Sequence, residues 1–410
     1  MTNQINTPEL RFPNYKDSWF SYKLNDISER VTRKNKNLES QRPLTISGQL
    51  GLIDQIEYFN KSVSSKNLTG YTLIKKGEFA YNKSYSNGYP LGAIKKLERY
   101  DLGILSSLYI CFSFNKNIDK NFMKNYFEST KWYREVANIA VEGARNHGLL
   151  NIPVNDFFNI NINLPIQYEQ EKIGNFFSKL DQQIELEEKK LELLEQQKRG
   201  YMQKIFSQQL RFKDENGNDY PEWKKKKLDD VAHYRRGSFP QPYGNKEWYD
   251  EKNGEPFVQV VDVDKNMKLH DKTKQKISDL AKPKSVKGFK GDIVVTLQGS
   301  IGRVAILQYD AYIDRTLLLI NSFKIKMNKN YFNYVLYLLF LREKERAPGG
   351  TIKTITKSVL SNFEIDIPTL EEQNKIGMFF NEIDNLIELQ NNKINHLKQR
   401  KQGLLQKMFV

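Results

Sequence analysis

The stretch EQEKIGNFFSKLDQQIELEEKKLELLEQQKRGYMQKIF, residues 169–206, decides the fold because it occurs twice. Residues 372–409 read EQNKIGMFFNEIDNLIELQNNKINHLKQRKQGLLQKMF, and the two copies align without a gap. Ile173 matches Ile376, so the offset is 203 residues (376 − 173). A repeat of this period indicates that the chain is built from two similar halves.

Apolar residues recur along both copies at alternating spacings of four and three. This 3.5-residue period predicts a long helix with a coiled-coil seam. The seam residues are Ile173, Phe177, Leu180, Ile184, Leu191 and Leu194 in the first copy, and Ile376, Phe380, Ile383, Ile387, Ile394 and Leu397 in the second. The same spacing predicts that the seam continues through Tyr201 and Ile205, or Leu404 and Met408.

Two polar positions interrupt each seam, Glu187 and Lys198 in the first copy and Gln390 and Lys401 in the second. Polar seam residues of this kind fix the register of paired helices at some cost in stability. The alternative is an amphipathic helix packed on a globular core, but the matched seams and the absence of Pro from both copies favour the coiled coil. A helix of this length is about 55 Å long, which suits a spacer.

The composition indicates folded domains with an anionic partner. The chain has 410 residues, 39% of them hydrophobic, and a formal net charge of +15. This length predicts at least two domains. Lys and Arg are spread through both halves and are not confined to one amphipathic helix, so nucleic acid is a better candidate partner than a membrane surface.

The cellular setting is predicted to be the cytoplasm. The single cysteine, Cys111, excludes an internal disulfide and suits a reducing compartment; its neighbours predict a buried strand. The polar start, Met1 to Leu10, lacks the apolar core of a signal peptide. The longest apolar run, Tyr331 to Leu341, is too short to span a bilayer and predicts a buried helix.

Both halves begin and end in the same way. Leu10-Arg11-Phe12 with Trp19 opens the first half, and Leu210-Arg211-Phe212 with Trp223 opens the second. A strand that stops at Pro165 or Pro368 comes before each long helix, and helical segments are predicted at 119–140 and 330–346. We therefore predict an α+β chain: a globular domain (1–168), a long helix (169–208), a second domain (209–371) and a second helix (372–410). Antiparallel pairing of the helices would give an internal pseudo-two-fold axis.

We find no motif for catalysis or metal binding. The four histidines have no neighbour at ligand spacing, so no metal site is expected. GxxxxGK[ST], GxGxxG after a strand, and GxSxG are absent, as is the Asn/Asp-Pro-Pro-aromatic motif of amino-methylating enzymes. Glu222-Trp223-Lys224 has a nuclease-like spacing, but the pattern is short and the matching Ser18-Trp19-Phe20 lacks both charges. Catalytic residues are therefore not predicted.

The remaining candidate residues are those that could bind nucleic acid. Base edges and phosphates are contacted by basic and amide side chains on loops, and such residues lie near Gly in the segments where the halves differ. The predicted DNA contacts are Arg33, Lys34, Asn35, Asn82, Lys83, Tyr85, Arg145 and Asn146 in the first half, and Arg235, Arg236, Ser238, Gln298, Ser300, Arg303, Arg315 and Lys353 in the second. For any single residue, an ordinary solvated surface position is an equally good interpretation.

Taken together, these features resemble the DNA specificity subunit of type I restriction-modification systems. The resemblance rests on the Pro that precedes Glu-Gln-x-Lys-Ile-Gly in both halves (165–174 and 368–377), on the long helices, and on the Trp-x-x-x-x-Leu segments at Trp19 and Trp223. It covers essentially the whole chain. The second Pro segment matches the family more closely than the first.

The resemblance implies that each globular domain is a target recognition domain for one half of a bipartite, asymmetric DNA site. It implies helices that separate the half-sites and dock two modification (methyltransferase) subunits, and through them restriction subunits. It also implies a chain that is non-catalytic by itself and binds no cofactor, with S-adenosylmethionine, ATP and magnesium on the partner subunits. A self-contained nuclease or methyltransferase and a protein-binding coiled-coil scaffold are the alternatives.

Overall fold

The computed structural model describes residues 6–61, 63–86, 88–140, 150–346 and 360–410. The chain divides into two compact units. Unit 1 comprises Met1–Lys190 and Gln390–Val410, and unit 2 comprises Leu191–Leu389. Each unit thus contains one globular domain and a part of each long helix.

Unit 1 combines short strands with helices. Its strands are β1 (Phe20–Lys23), β2 (Ser28–Arg30), β3 (Leu44–Ser47), β4 (Gly51–Asp54), β5 (Thr72–Lys75), β6 (Phe79–Asn82), β7 (Ala93–Lys96), β8 (Leu102–Leu105), β9 (Tyr109–Phe114) and β10 (Asn161–Leu164). Its helices are α1 (Leu24–Ile27), α2 (Gln55–Phe59), α3 (Lys120–Glu128), α4 (Tyr133–Ile139), α5 (Val154–Phe158) and the first part of the long helix α6 (Gln167–Phe206).

Unit 2 has the same kind of organisation. Its strands are β11 (Lys224–Lys227), β12 (Ala232–Arg236), β13 (Glu255–Val258), β14 (Gln275–Ile277), β15 (Val286–Gly288), β16 (Ile293–Thr296), β17 (Val304–Ile306), β18 (Ala311–Ile313), β19 (Leu317–Phe323) and β20 (Glu364–Ile367). Its helices are α7 (Leu228–Val231), α8 (Lys329–Arg346) and the first part of the second long helix, α9 (Leu370–Lys407).

Each domain has its own main sheet, and the two sheets have the same strand order. In unit 1 the strand order is β2-β9-β6-β7, and in unit 2 it is β12-β19-β16-β17, with antiparallel pairing throughout. A two-stranded ribbon comes before each long helix, with Phe20 opposite Leu164 in β1–β10 and Lys224 opposite Ile367 in β11–β20. Leu164 and Ile367 are 203 residues apart, so the repeat extends into the ribbons. The predicted α+β fold class is confirmed.

The long helices run antiparallel within each unit. In unit 1, Asp181 and Glu187 on α6 pair with Lys401 and Lys393 on α9, at 2.6 and 2.5 Å. In unit 2, Lys198 Nζ lies 2.6 Å from Asp384 Oδ1. The Asp181–Lys401 and Asp384–Lys198 pairs are related by the 203-residue offset, so the repeated sequence makes the same ion pair in both units.

All twelve predicted seam residues from Ile173 to Leu194 and from Ile376 to Leu397 are buried or half-buried. The predicted continuation at Tyr201 is wrong, because this side chain is 39% exposed and Met202 is buried in its place. Leu405 similarly replaces Leu404 as the fully buried residue. At these positions each long helix packs against a globular core. Its buried residues there follow the 3.6-residue period of an ordinary helix and not the 3.5-residue period of a coiled coil.

The repeated Glu-Gln pair joins each domain to its helix. The carboxylate of Glu169 is fully buried and accepts two hydrogen bonds of 2.7 Å from Arg11. Glu372 is equally buried and accepts from Arg211 at 3.1 and 2.7 Å. The opening segment of each half is thereby fixed to the first turn of a long helix.

The Gln and Gly of the motif position a second helix. Gln170 donates to Pro165 O (2.9 Å) and accepts from the backbone N–H of Asp119 (3.1 Å), just before α3. Gln373 makes the same two bonds, to Pro368 O at 3.0 Å and from the N–H of Asn328 at 2.9 Å, just before α8. A Cβ on Gly174 would lie 2.3 Å from Asp119 Oδ1, so the close approach of α3 requires glycine here.

One predicted helix is divided in two. The segment 119–140 forms α3 and α4, because Ser129 is extended (φ −78°, ψ 172°) and its hydroxyl donates to Tyr126 O at 2.6 Å. Ser and Thr side chains compete in this way with helical backbone hydrogen bonds. The segment 330–346 is one helix, as predicted, and the apolar run from Tyr331 is largely buried in it. Among the described residues, no helix is long and apolar enough to cross a membrane.

Candidate nucleic-acid interface

In unit 2, one end of the main sheet gathers the segments that connect its strands. β12 ends at Arg236 and β16 at Thr296, whereas β19 begins at Leu317 and β17 at Val304. Arg236 pairs with Leu318, and Thr296 pairs with Leu317. Antiparallel neighbours place the end of one strand beside the start of the next, so these four termini lie at one end, which we call the unit 2 sheet end.

Seven predicted DNA contacts lie at the unit 2 sheet end or in the segments that leave it: Arg235, Arg236, Ser238, Gln298, Ser300, Arg303 and Arg315. They come from three separate segments of the sequence. Four of the seven are arginines, so this end is strongly cationic. A cationic surface with amide and hydroxyl groups suits both phosphates and base edges.

Two of the seven side chains hold neighbouring loops. The Ser238 hydroxyl donates to Lys284 O at 3.0 Å. Arg303 is half-buried and donates through Nη1 to Val263 O at 2.8 Å. These contacts give both residues a structural role. The other five, Arg235, Arg236, Gln298, Ser300 and Arg315, are exposed.

Unit 1 presents the matching end with different side chains. β6 ends at Asn82, which pairs with both Tyr109 at the start of β9 and Ala93 at the start of β7. Lys83 and Tyr85 follow directly, and Tyr85 is 61% exposed. The Asn82 carboxamide accepts from the backbone N–H of Ser84 at 3.1 Å, which shapes the turn. We call this the unit 1 sheet end.

Comparison with known proteins identifies the frame on which these ends are built. Residues 220–399 match the family model described as type I restriction modification DNA specificity domain. The chain carries a type I DNA specificity domain. This match lies in the second half, and the first half repeats its strand order and motifs, which supports the predicted family.

The curated relatives of this chain are described as type I specificity subunits. The chain is 26% identical over 297 residues to a putative type I restriction enzyme MjaX specificity subunit of Methanocaldococcus jannaschii, and the match covers 69% of this chain. It covers 65% of that relative, which is less than two thirds of its length. The MjaVIII specificity subunit of the same organism is 27% identical over 323 residues, which cover 74% of this chain and 72% of the relative.

Two solved structures have the same fold. The S subunit of a type I restriction-modification system from M. genitalium aligns with a TM-score of 0.58 at 15% identity, covering 98% of this chain and 99% of that one. A chain from a structure on complex assembly and conformational transition of the type I R-M system aligns with a TM-score of 0.57 at 20% identity, covering 96% and 99%. At these identities the likeness shows the fold.

The structure does not bring all predicted contacts of the first domain together. Arg33 pairs with Glu78 at 2.8 Å, and Glu78 precedes β6, whereas the unit 1 sheet end follows it. Lys34 is exposed, and its ammonium group donates to Gly70 O at 3.0 Å. These two residues therefore lie away from Asn82, Lys83 and Tyr85.

The prediction that Asn35 contacts DNA is wrong. Its side chain is completely buried, donates to Ser40 O at 2.8 Å and accepts from the Ser40 N–H at 3.1 Å. The carboxamide therefore closes a local loop, and no base can reach it. Arg145, Asn146 and Lys353 lie outside the described residues.

Tyr243 and Asp314 were missed by sequence reasoning. Tyr243 lies beneath the guanidinium of Arg315, with 4.8 Å from Arg315 Cζ to the ring centre, and its hydroxyl donates to the buried carboxylate of Asp314. Both residues border a cavity of about 490 Å³ beside Arg315. Asp314-Arg315-Thr316 could have drawn attention as a polar turn between two apolar strands, but Tyr243 gave no local signal.

The described part of the chain has no metal-binding cluster of side chains. No cluster of three or more His, Cys, Asp or Glu side chains is placed to hold a metal ion there. Burial raises the pKa of Cys111 to about 12, so its thiol stays protonated. Trp223 of the nuclease-like Glu222-Trp223-Lys224 points its indole N–H at Glu372, at 3.0 Å. This tryptophan is a structural residue.

Proposed function

We propose that this chain is the DNA specificity subunit of a type I restriction-modification complex. It binds double-stranded DNA, and each domain reads one half of a bipartite, asymmetric site. It docks two modification subunits, and through them restriction subunits. It has no catalytic residue of its own, and S-adenosylmethionine, ATP and magnesium bind to the partners.

One observation supports this proposal above the others. The four-stranded main sheet has the same strand order in both units. Its end carries arginines and an amide in unit 2, and Asn82, Lys83 and Tyr85 in unit 1. The frame is repeated while the exposed side chains at its end differ. Since base readout depends on which donors and acceptors face the groove, two such ends are suited to two different half-sites.

In this mechanism, positive charge and specific donors have separate tasks. Phosphate contacts supply affinity and set the position of the protein, and contacts to base edges supply specificity. The long helices serve as a spacer whose register is fixed by the Asp181–Lys401 and Asp384–Lys198 ion pairs and by the contact of Gln390 Nε2 with Glu187 Oε2 at 2.7 Å. We expect the half-site centres about one DNA helical turn apart, with an unread gap between them.

Mapping of methylated adenines in a genome with and without this chain tests the function. Deletion of the chain should remove methylation at one bipartite motif with two different halves. The expected control is restoration of the same motif by the chain on a plasmid. Methylation that is independent of the chain, or a contiguous motif, would contradict the proposal.

An exchange of the first recognition domain tests independent reading. Replacement of residues 2–142 by the corresponding segment of another family member should change one half of the motif and leave the other half unaltered. This result is expected because each sheet end belongs to one unit. A change in both halves would show that the domains do not read separately.

A further inference from the structure

Arg315 combines exposure to solvent with contact to an aromatic ring. It is exposed and lies two residues before Leu317, where β19 begins. Its guanidinium lies 4.8 Å from the ring centre of Tyr243. A planar guanidinium stacked on an aromatic face keeps its N–H donors at its edge, available to a ligand in the same plane.

Tyr243 is itself held firmly. Its hydroxyl donates to Asp314, whose carboxylate is 2% exposed and also accepts from the backbone N–H of Thr316 at 2.8 Å. The ring packs on Phe239 with 5.0 Å between centres, and the Tyr249 hydroxyl donates to Tyr243 O at 3.0 Å. Burial and the neighbouring carboxylate raise the pKa of Tyr243, so its hydroxyl stays a donor at neutral pH. The surface under Arg315 is therefore rigid.

The turn that contains Arg315 is also fixed against β12. A Cβ on Gly237 would lie 2.3 Å from both Ile313 O and Asp314 O, so only glycine allows this approach. The Ser238 N–H donates to Ile313 O at 3.1 Å. As a result Arg315 is placed beside the end of β12, and it lines the cavity together with Gln259, Lys274 and Thr316.

We propose that Arg315 reads a guanine in the half-site of the second domain, and that Tyr243 is its positioning residue. This inference rests on the proposed function and names one base within it. Arginine donates two parallel hydrogen bonds to O6 and N7 of guanine, which is the commonest specific contact in the major groove. That geometry is favoured when the guanidinium is held in place, and here it lies over the Tyr243 ring, which is itself fixed by Asp314. A phosphate contact needs charge and no fixed plane, so the stacked platform favours base readout.

Binding of the full chain to duplexes that contain its mapped methylation motif tests the proposal. Each half-site guanine is replaced in turn by 7-deazaguanine, which lacks the N7 acceptor. One replacement in one half-site should weaken binding by the native chain and should have no effect on Arg315→Ala. With the unmodified motif, Arg315→Ala should bind roughly 5- to 150-fold more weakly. The matched control is Lys290→Ala, which removes one exposed positive charge before Ile293, at the opposite end of β16, and should bind like the native chain.

Tyr243 is tested by two variants. Tyr243→Leu removes the ring and should weaken binding while the same guanine remains preferred. Tyr243→Phe keeps the ring and should have a smaller effect, which keeps the test informative if the leucine variant does not fold. Equal weakening of Arg315→Ala on all sequences, with a salt slope reduced by about one, would identify a phosphate contact and overturn the proposal. Native-like binding by Arg315→Ala would overturn it too. Failure of the native chain to bind any duplex would instead contradict the proposed function.

Discussion

At the residue scale, the repeat provides matched tryptophans in different polar surroundings. The Trp223 indole N–H donates to Glu372 Oε2 at 3.0 Å. Trp19 occupies the matching position, but its buried N–H has no hydrogen-bond partner among the described residues. In unit 1, Arg11 binds both oxygens of Glu169. The two matched tryptophans therefore test how much a single buried hydrogen bond contributes to stability.

Trp223→Phe should destabilise the protein by about 2 kcal/mol more than Trp19→Phe, because a hydrogen bond to a charged group contributes on this order. Both substitutions remove the same volume, so the difference between them isolates the hydrogen bond. The free energy of unfolding in urea, followed by fluorescence and circular dichroism, measures both. Equal losses would show that the Trp223–Glu372 contact contributes nothing.

Individual contact residues were harder to predict than residues of the frame. Asn35 looked like an amide on a basic loop, yet its side chain bonds Ser40 and is buried. The composition of a loop cannot distinguish an exposed donor from one that closes the loop, because that depends on which backbone groups the fold brings near. Tyr243 was missed for the same reason: it is 72 residues before Arg315 (315 − 243) and meets it only through tertiary structure.

At the element scale, the glycines of the long helices separate packing from helix propensity. A Cβ on Gly174 meets Asp119 Oδ1 at 2.3 Å and Phe122 N at 2.9 Å, whereas a Cβ on Gly403 meets nothing within 4 Å. Both glycines lie in helical parts of unit 1. The two positions should therefore respond in opposite ways to alanine.

Gly174→Ala should lower stability by about 1–3 kcal/mol through overpacking against α3. Gly403→Ala should raise it by up to about 1 kcal/mol, because alanine is the better helix former. The melting temperatures of the two variants, compared with that of the native chain, test both expectations. A stabilised Gly174→Ala would mean that α3 does not pack closely on α6.

The ion pairs of the helices predict a pH dependence. Burial alone would raise the pKa of Asp181, but the ammonium groups of Lys401 and Lys124 outweigh it and hold the pKa below the usual aspartate range. A carboxylate with a lowered pKa stabilises the folded state above its unfolded pKa, and this contribution is lost as the pH falls through the folded pKa. The stabilisation should therefore be present at neutral pH and absent in acid.

Asp181→Asn should cost about 2 kcal/mol at pH 7, and the difference from the native chain should vanish as the pH falls well below 4. Melting temperature against pH for both chains is the measurement. Asp101→Asn is the control, because Asp101 is 92% exposed and lies 3.6 Å from Lys76, a surface pair that contributes little. A pH-independent difference at Asp181 would point to packing and not charge.

At the scale of the whole molecule, the sequence predicted the frame better than the surface. The gapless repeat indicated two α+β domains, two long helices and the Pro-terminated strands before them, because these features depend on periodicity and on local signals. The common strand order of the two sheets could not be predicted from the divergent segments between Trp19 and Asp119 or Trp223 and Asn328. Pairing of distant strands brings Arg236, Gln298 and Arg315 to one end, and no local pattern encodes it.

The spacer role of the helices is tested by lengthening both together. One heptad that continues the seam, inserted into α6 and α9 beside the Glu187–Gln390 contact, adds about 10 Å of helix and preserves the coiled-coil face. The mapped methylation motif should keep both half-sites and gain a longer unread gap, since the sheet ends are unchanged. The same heptad in α6 alone serves as the control and should abolish methylation, because it removes the register of the Asp181–Lys401 and Asp384–Lys198 ion pairs. An unchanged gap in the double insertion would exclude helix length as the determinant of spacing.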